Sequence, residues 1–216
     1  FKYILAIPQN KTEELLASVV EVGGTKVERS CELIGFEDMG DYIQATVRHL
    51  ADNHREEIIK CDFLVGTDGA HSIVRKKLGF TFEGEQYEEI FGAADVACEL
   101  QGDEVHGYLS ETGLVAFFPF GEGRYRIIFD VLDGKFNGKV VDPNEPLTLE
   151  LVNEVVSSRG PKDLKLDDPR WMSWFKIHRR FADSYRKGRA FIAGDAAHIH
   201  SPVGGVGMNT DVQDAL

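Results

Sequence analysis

GRAFIAGDAAHIHSPVGGVGMNTDVQDAL, residues 188–216, contains a short apolar run that stops abruptly at Gly194 and Asp195. A proline and several glycines follow before the sequence turns polar, which is typical of a buried strand that leads through a loop into a helix. An acid at the carboxyl end of a strand suits a sugar hydroxyl, and a glycine-rich turn opens backbone N–H groups to an anionic or carbonyl group. The pattern therefore predicts a site for a large cofactor.

A second motif lies far upstream, in residues 61–78, which read CDFLVGTDGAHSIVRKKL. It resembles the D-G-x-x-S-x-x-R element of the para-hydroxybenzoate hydroxylase-like flavoprotein monooxygenases. GDAAH followed by P-x-x-G-x-G-x-N resembles the second FAD fingerprint of the same family. Two motifs in the family's order are far more specific than either alone. The resemblance covers nearly the whole chain.

The resemblance implies a set of residues that contact FAD. Asp195 is its strongest member, because a carboxylate that accepts a hydrogen bond from the ribityl chain gives both strength and register. Backbone N–H groups of the glycine-rich turn would stabilise negative charge on the reduced flavin. Asp68 would lie near the pyrophosphate and ribose, and Arg75 would pair with a phosphate or support Asp68. The predicted set comprises Gln9, Asp68, Gly69, Arg75, Asp195, Pro202, Gly204, Gly205, Gly207, Met208 and Asn209.

Simpler interpretations stay open for these residues. Asp195 is also compatible with a turn or capping aspartate, and 68–75 with an Asp-Gly turn beside a surface arginine. Two positions depart from the family pattern: Val206 stands where glutamine is frequent, and Asp211 where glycine is frequent. We expect Asp211 in the first helical turn, where an acid favours the helix dipole but opposes charge on a reduced flavin.

The elements along the chain indicate two kinds of domain. The first part of the chain alternates strands and helices. We expect a strand over 3–7, a helix after a capping box at 10–13, three strand-like runs over 27–59, a buried strand at 63–65 and a helix over 72–78. Strands dominate 87–130, and a helix is expected over 147–156. We therefore expect an α/β fold. A partial, Rossmann-like FAD-binding domain (1–83 and 188–216) would hold an inserted, mostly antiparallel β-sheet substrate domain (84–187).

Composition limits the partners. The net charge of −12 argues against a nucleic-acid partner, because phosphate binding needs clustered Lys and Arg. No apolar run reaches the roughly 20 residues of a membrane span, so no membrane partner is expected. The three cysteines are widely spaced and odd in number, which favours reduced thiols and a cytoplasmic protein. The oligomeric state is not indicated.

The sequence contains only weak indications of metal binding or nucleophilic catalysis. His198 and His200 suggest a metal ligand pair, but no third His or Cys follows at ligand spacing, so we expect no metal. No nucleophile elbow occurs. The aromatic segment 117–120 would wall an apolar substrate pocket or, as readily, form the core of a central strand. No catalytic residue is assigned, since flavin performs the chemistry in this family and protein supplies binding and orientation.

The function that the resemblance implies is hydroxylation of a small aromatic substrate, phenol-like or polyketide-like, with FAD, NAD(P)H and O2. A related epoxidase, halogenase or reductase on the same fold is the rival within enzymes. The other alternative is a non-catalytic module that binds FAD weakly or not at all. The chain contains no G-x-G-x-x-G between a strand and a helix, and we expect the first quarter and a C-terminal portion of the complete enzyme to lie outside it.

Overall fold

The structure is a computed structural model that describes residues 7–102, 104–200 and 207–216. In those ranges the α-helices are α1 (Gln9–Val22), α2 (Ile73–Leu78), α3 (Leu149–Arg159) and α4 (Gly207–Gln213). The strands are β1 (Cys31–Asp38), β2 (Ile43–His49), β3 (Arg55–Cys61), β4 (Leu64–Gly66), β5 (Phe82–Cys98), β6 (His106–Ser110), β7 (Gly113–Gly121), β8 (Arg124–Val131), β9 (Lys135–Phe136), β10 (Lys139–Val140), β11 (Leu166–Ala182), β12 (Arg186–Lys187), β13 (Ala190–Ile192) and β14 (His198–Ile199). The predicted α/β class with mostly antiparallel sheets is confirmed.

The chain divides into two compact units. The first comprises the described part of 1–25 together with 88–177, and the second comprises 26–87 and 178–216. β5 and β11 are long strands that contribute residues to both units. The functional boundaries at 83 and 187 stay a prediction. None of the helices in the described ranges combines the length and the apolar character that a bilayer crossing requires.

The first unit is built on an antiparallel sheet. β6, β7, β8 and β5 pair in that order, and Gly121-Glu122-Gly123 carries the chain from β7 into β8, as predicted. Side chains alternate along these strands, so that Val115, Phe117 and Phe129 are fully buried. α3 covers this face with apolar residues at helical spacing. Phe117 is therefore a core residue, and the core interpretation of that position is correct.

The second unit combines an antiparallel meander with a short parallel pair. β1, β2 and β3 pair in sequence order, as the turn signals predicted, and β13 pairs in parallel with β4. α2 packs against β13 and β4, and its buried Val74 and Leu78 join a core with Ile43, Ala190 and Ile192. A parallel pair matters for function because the carboxyl ends of both strands meet at one edge.

The predicted start of α1 is wrong. The helix begins at Gln9 behind Pro8, whose fixed φ suits a helix start, and no side chain caps it. Asn10 is inside the helix, so the predicted capping box does not form. The predicted apolar stripe is present, but Leu15, Leu16 and Val19 are all more than half exposed. Most of the predicted strand over 3–7 lies outside the described residues.

Candidate functional site

The parallel pair brings the two sequence motifs to the same edge of a sheet. Leu64 lies opposite Ala190 and Gly66 opposite Ile192, and the Ala193 N–H donates to the Gly66 carbonyl at 3.0 Å. The loop with Asp68 leaves the end of β4, and the loop with Asp195 leaves the end of β13. Residues that are far apart in sequence therefore form one composite loop region within the second unit.

Asp68 organises the start of α2. Its Oδ1 accepts from the Ser72 hydroxyl at 2.5 Å, and its Oδ2 accepts from the N–H groups of Ile73 at 2.7 Å and Val74 at 3.2 Å. Ser72 is the N-cap and accepts from the Arg75 N–H at 2.9 Å. Gly69 has a φ of +77°, a left-handed conformation that favours glycine. The D-G-x-x-S element thus fixes a sharp strand-to-helix turn by its own hydrogen bonds.

Arg75 joins the two motifs. The side chain is buried, and its two terminal nitrogens donate to the carbonyls of Ala196 at 2.8 Å and Ala70 at 2.7 Å. The guanidinium also lies 3.7 Å from the centre of the Phe82 ring. Burial lowers the pKa of the Arg75 guanidinium, and the Asp68 carboxylate opposes that change. The Arg75 guanidinium donates to backbone carbonyls rather than to the Asp68 carboxylate, so pairing with a phosphate and support of Asp68 both stay predictions.

Asp195 lies at the start of the second loop. It lies in a single 3-10 turn over Gly194–Ala196, and its side chain is exposed. Its carboxylate accepts no hydrogen bond from the residues that the structure describes. Gly194 adopts a φ of +61°, and its N–H donates to Asp214 Oδ2 at 2.8 Å. The backbone on one side of Asp195 is therefore held by Asp214, and Arg75 holds the carbonyl on the other side.

A cluster of histidines and acids follows the same loop; it consists of His198, His200, Asp211 and Asp214. Asp214 Oδ2 lies 2.7 Å from His198 Nε2, and Nδ1 of His198 lies 3.4 Å from Nδ1 of His200. Asp211 is the fifth residue of α4, so its predicted place in the first helical turn is wrong. Burial raises the pKa of the Asp211 carboxyl, and the neighbouring Asp195 charge raises it further.

The other predicted cofactor residues divide into three groups. Gln9 belongs to the first unit, and its amide donates to Glu13 Oε1 at 2.8 Å on the exposed face of α1. Gly207, Met208 and Asn209 form the first turn of α4. Pro202, Gly204 and Gly205, together with the departure at Val206, lie outside the described residues. The contacts of these residues with FAD stay predictions.

Asp214 is the residue that the sequence interpretation missed. It ties Gly194 and His198 together, although no motif includes it. Its position was the available signal, because Asp214 directly follows the last residue of α4, three positions after Asp211. Asp211 on α4 and Asp214 just after it both approach His198.

The profile of the FAD binding domain family matches residues 1–216. This chain belongs to that family. It is 36% identical over 97% of its length to a flavin-dependent monooxygenase of Mycobacteroides abscessus and covers 43% of that protein. It is 33% identical to the pentachlorophenol 4-monooxygenase of Sphingobium chlorophenolicum, with 100% of this chain and 40% of that protein covered.

The chain is also similar to a solved structure of a related hydroxylase. The anhydrotetracycline hydroxylase from Streptomyces rimosus superposes with a TM-score of 0.72 at 31% identity, over 96% of this chain and 41% of that one. The chain therefore spans about two fifths of the length of the curated relatives it matches. FAD is the cofactor that this family's domain binds.

Proposed function

We propose that this chain is the FAD-holding part of an NAD(P)H-dependent monooxygenase that hydroxylates a small aromatic substrate, phenol-like or polyketide-like. The observation that carries the proposal is the meeting of the Asp68 and Asp195 loops at one edge of the β4–β13 pair. At that edge Asp195 is exposed and receives no hydrogen bond from the described part of the chain. Similarity to a pentachlorophenol monooxygenase and to an anhydrotetracycline hydroxylase supports the aromatic substrate class.

Asp195 holds the sugar-like chain of the cofactor. A carboxylate at the carboxyl end of a parallel strand accepts hydrogen bonds from hydroxyl groups, and ionisation makes such bonds about twice as strong as neutral ones. The residues present fit FAD at this point, because the exposed Asp195 carboxylate accepts no hydrogen bond from the described residues and keeps its acceptor capacity for a ligand hydroxyl. Gly207, Met208 and Asn209 supply the next contacts along the same cofactor.

Arg75 and Asp68 position the site. Arg75 donates to the carbonyl of Ala196, the residue after Asp195, and to that of Ala70, two residues after Asp68. A single buried guanidinium therefore sets the spacing between the two cofactor loops. Asp68 keeps the α2 turn closed, which holds Ala70 in place for Arg75.

FAD, when bound, supplies the reaction with NAD(P)H and dioxygen, and the chain supplies binding and orientation. In the first unit, Phe118 and Phe120 are partly exposed and Trp171 is exposed, so all three offer aromatic surface to a substrate. Arg126 stacks on Phe120 and Trp171 and forms a two-point ion pair with Asp95 at 2.7 and 2.9 Å. Its charge is thus already neutralised, which favours an apolar aromatic substrate.

FAD titration of the purified chain tests the site. We expect saturable binding with a shifted flavin spectrum, and Asp195→Asn should weaken it by about 1.5–3 kcal/mol, the range for a hydrogen bond to a charged group. That corresponds to roughly a 10- to 150-fold rise in Kd. Asp163→Asn removes the same charge from an exposed position of the first unit and is the matched control. Equal FAD affinity in wild type and Asp195→Asn would refute this role.

The activity is tested on the protein expressed from its full reading frame. NAD(P)H oxidation should accelerate when a phenol or a polyketide-like aromatic is added, and the product should gain one oxygen atom from O2. A protein that retains FAD but shows no stimulation by any aromatic would contradict the hydroxylase proposal and leave the cofactor site standing.

A further inference from the structure

The spacing of three side chains near the GDAAH loop matches that of metal ligands. His198, His200 and Asp211 offer ligand atoms that all lie within 4.8 Å of one another. His198 Nδ1 is 3.4 Å from His200 Nδ1 and 3.7 Å from Asp211 Oδ1. Two ligand atoms at tetrahedral angles around Zn2+, with bonds of about 2.0–2.1 Å, lie about 3.3–3.4 Å apart. Both separations from His198 are close to that geometry, and His200 and Asp211 lie within 4.8 Å of each other, so ion binding would draw these two side chains together.

Two atoms of the cluster lack a hydrogen bond. Asp211 Oδ1 and His200 Nε2 are shielded from solvent, and neither has a hydrogen-bond partner among the described residues. Buried polar atoms are almost always satisfied in native proteins, so each unpaired atom needs an explanation. A neutral His198–His200 hydrogen bond accounts for the 3.4 Å separation but leaves Asp211 unsatisfied. A cation held by the two Nδ1 atoms and Asp211 Oδ1 satisfies that carboxylate oxygen, whereas His200 Nε2, on the other side of its ring, does not contact such an ion.

A carboxylate lies against the second ring nitrogen of His198, as is usual for histidines that bind metals. Asp214 Oδ2 lies 2.7 Å from His198 Nε2, which places the imidazole proton on Nε2 and leaves the Nδ1 lone pair for a ligand. Asp214 is itself fixed by the Gly194 N–H at 2.8 Å. One small region of the second unit therefore contains an outer partner (Asp214), a histidine that it orients (His198) and two further ligand residues (His200 and Asp211).

The charge of the region also favours a cation. Asp211 and Asp214 both lie against His198, and the Asp195 carboxylate acts electrostatically on Asp211. Imidazole ligands suit Zn2+, Co2+ and Ni2+, whereas Mg2+ and Ca2+ prefer all-oxygen sites. From these observations we propose that His198, His200 and Asp211 form a binding site for a divalent transition-metal ion, with Asp214 as its outer partner. The sequence alone indicated no such site, because Asp211 is neither His nor Cys and joins the pair only in three dimensions.

Co2+ titration of the tag-free, EDTA-treated chain tests the proposal. We expect visible absorption bands that saturate at one ion per chain, displacement by Zn2+, and no competition by Mg2+. Asp211→Asn and His200→Gln should each raise the Co2+ Kd at least about 10-fold, the lower bound for loss even of an outer partner. His54→Gln removes an exposed histidine from the β2–β3 connection and should leave Kd unchanged.

A second measurement, the Tm of the wild-type chain with and without Zn2+, tests the site even if a variant folds poorly. Zn2+ should raise the Tm of the wild type in a concentration-dependent manner, because an ion that binds only the folded state stabilises it. Mg2+ should produce no such rise. Absence of saturable Co2+ binding, or equal Zn2+ stabilisation of wild type and Asp211→Asn, would overturn the site.

Discussion

Arg75→Met tests whether one buried arginine holds the Asp68 and Asp195 loops together. The substitution keeps an unbranched side chain of similar length but removes donors at 2.8 and 2.7 Å from the carbonyls of Ala196 and Ala70. Each hydrogen bond from a charged donor contributes about 1.5–3 kcal/mol, and the two carbonyls lose their partners, so the folded second unit should lose about 3–5 kcal/mol. That is a large fraction of a total stability of about 5–15 kcal/mol.

Hydrogen–deuterium exchange measures this loss locally. The Ala193 N–H bonds to the Gly66 carbonyl between β13 and β4, so its protection reports opening of the cofactor edge. A loss of 3–5 kcal/mol lowers protection by about two to four orders of magnitude. FAD affinity should fall with it, because Asp195 loses its fixed position.

Two further variants control the Arg75 experiment. Lys76→Met removes a charge from the exposed face of the same helix and should change stability by no more than about 0.5 kcal/mol. Arg75→Lys keeps the charge but lacks the planar fork that reaches both carbonyls, so it should recover only part of the loss. Protection within about tenfold of wild type in Arg75→Met would refute the reasoning.

Other predictions concern each unit separately. Arg159 is buried in the first unit, where it donates to Asp130 Oδ1 at 2.9 Å and to the Leu114 carbonyl at 2.9 Å. Arg159→Met should lower the free energy of unfolding by about 3–5 kcal/mol, measured by urea denaturation followed by tryptophan fluorescence. A loss below about 1 kcal/mol would contradict this prediction. In the second unit, N–H groups of Gly40 and Arg189 hold the pKa of the exposed Asp38 carboxyl below its ordinary value of 3.8. The ionised group therefore stabilises the fold above about pH 4, and that stabilisation is lost as pH falls through the lower folded pKa. Asp38→Asn should lower the Tm at neutral pH, with a difference from wild type that shrinks below about pH 4; a difference constant with pH would exclude Asp38 as the source.

Local patterns in the sequence identified most of the elements. The Asp-Gly turn followed by Ser72 predicted α2, and the structure confirms it with Ser72 as N-cap. Turn residues at 38–41 and 52–54 predicted the antiparallel meander of β1, β2 and β3. These features depend on hydrogen bonds and turn chemistry among neighbours in sequence, which a sequence displays directly.

The errors have equally local causes. The predicted capping box at 10–13 does not form because Pro8 is the N-cap of α1. The helix therefore begins two residues earlier than it would with Asn10 as the N-cap. Asp211 was placed in a first helical turn because the helix start cannot be located to a single residue from a glycine-rich sequence. The expectation of no metal, which stays untested, depended on spacing along the chain and did not consider Asp211, which approaches from α4.

By itself, the sequence determined the family, the cofactor class and the two motifs, since these follow from residue types at fixed spacing. Only the tertiary structure decided how the motifs work together. Parallel pairing of β4 with β13 put both loops at one edge, and Arg75 met the Ala196 carbonyl across 121 positions of sequence. Asp214 reached Gly194 and His198 by the same means. Such contacts arise when separate elements pack around a shared core, and no local periodicity encodes their partners.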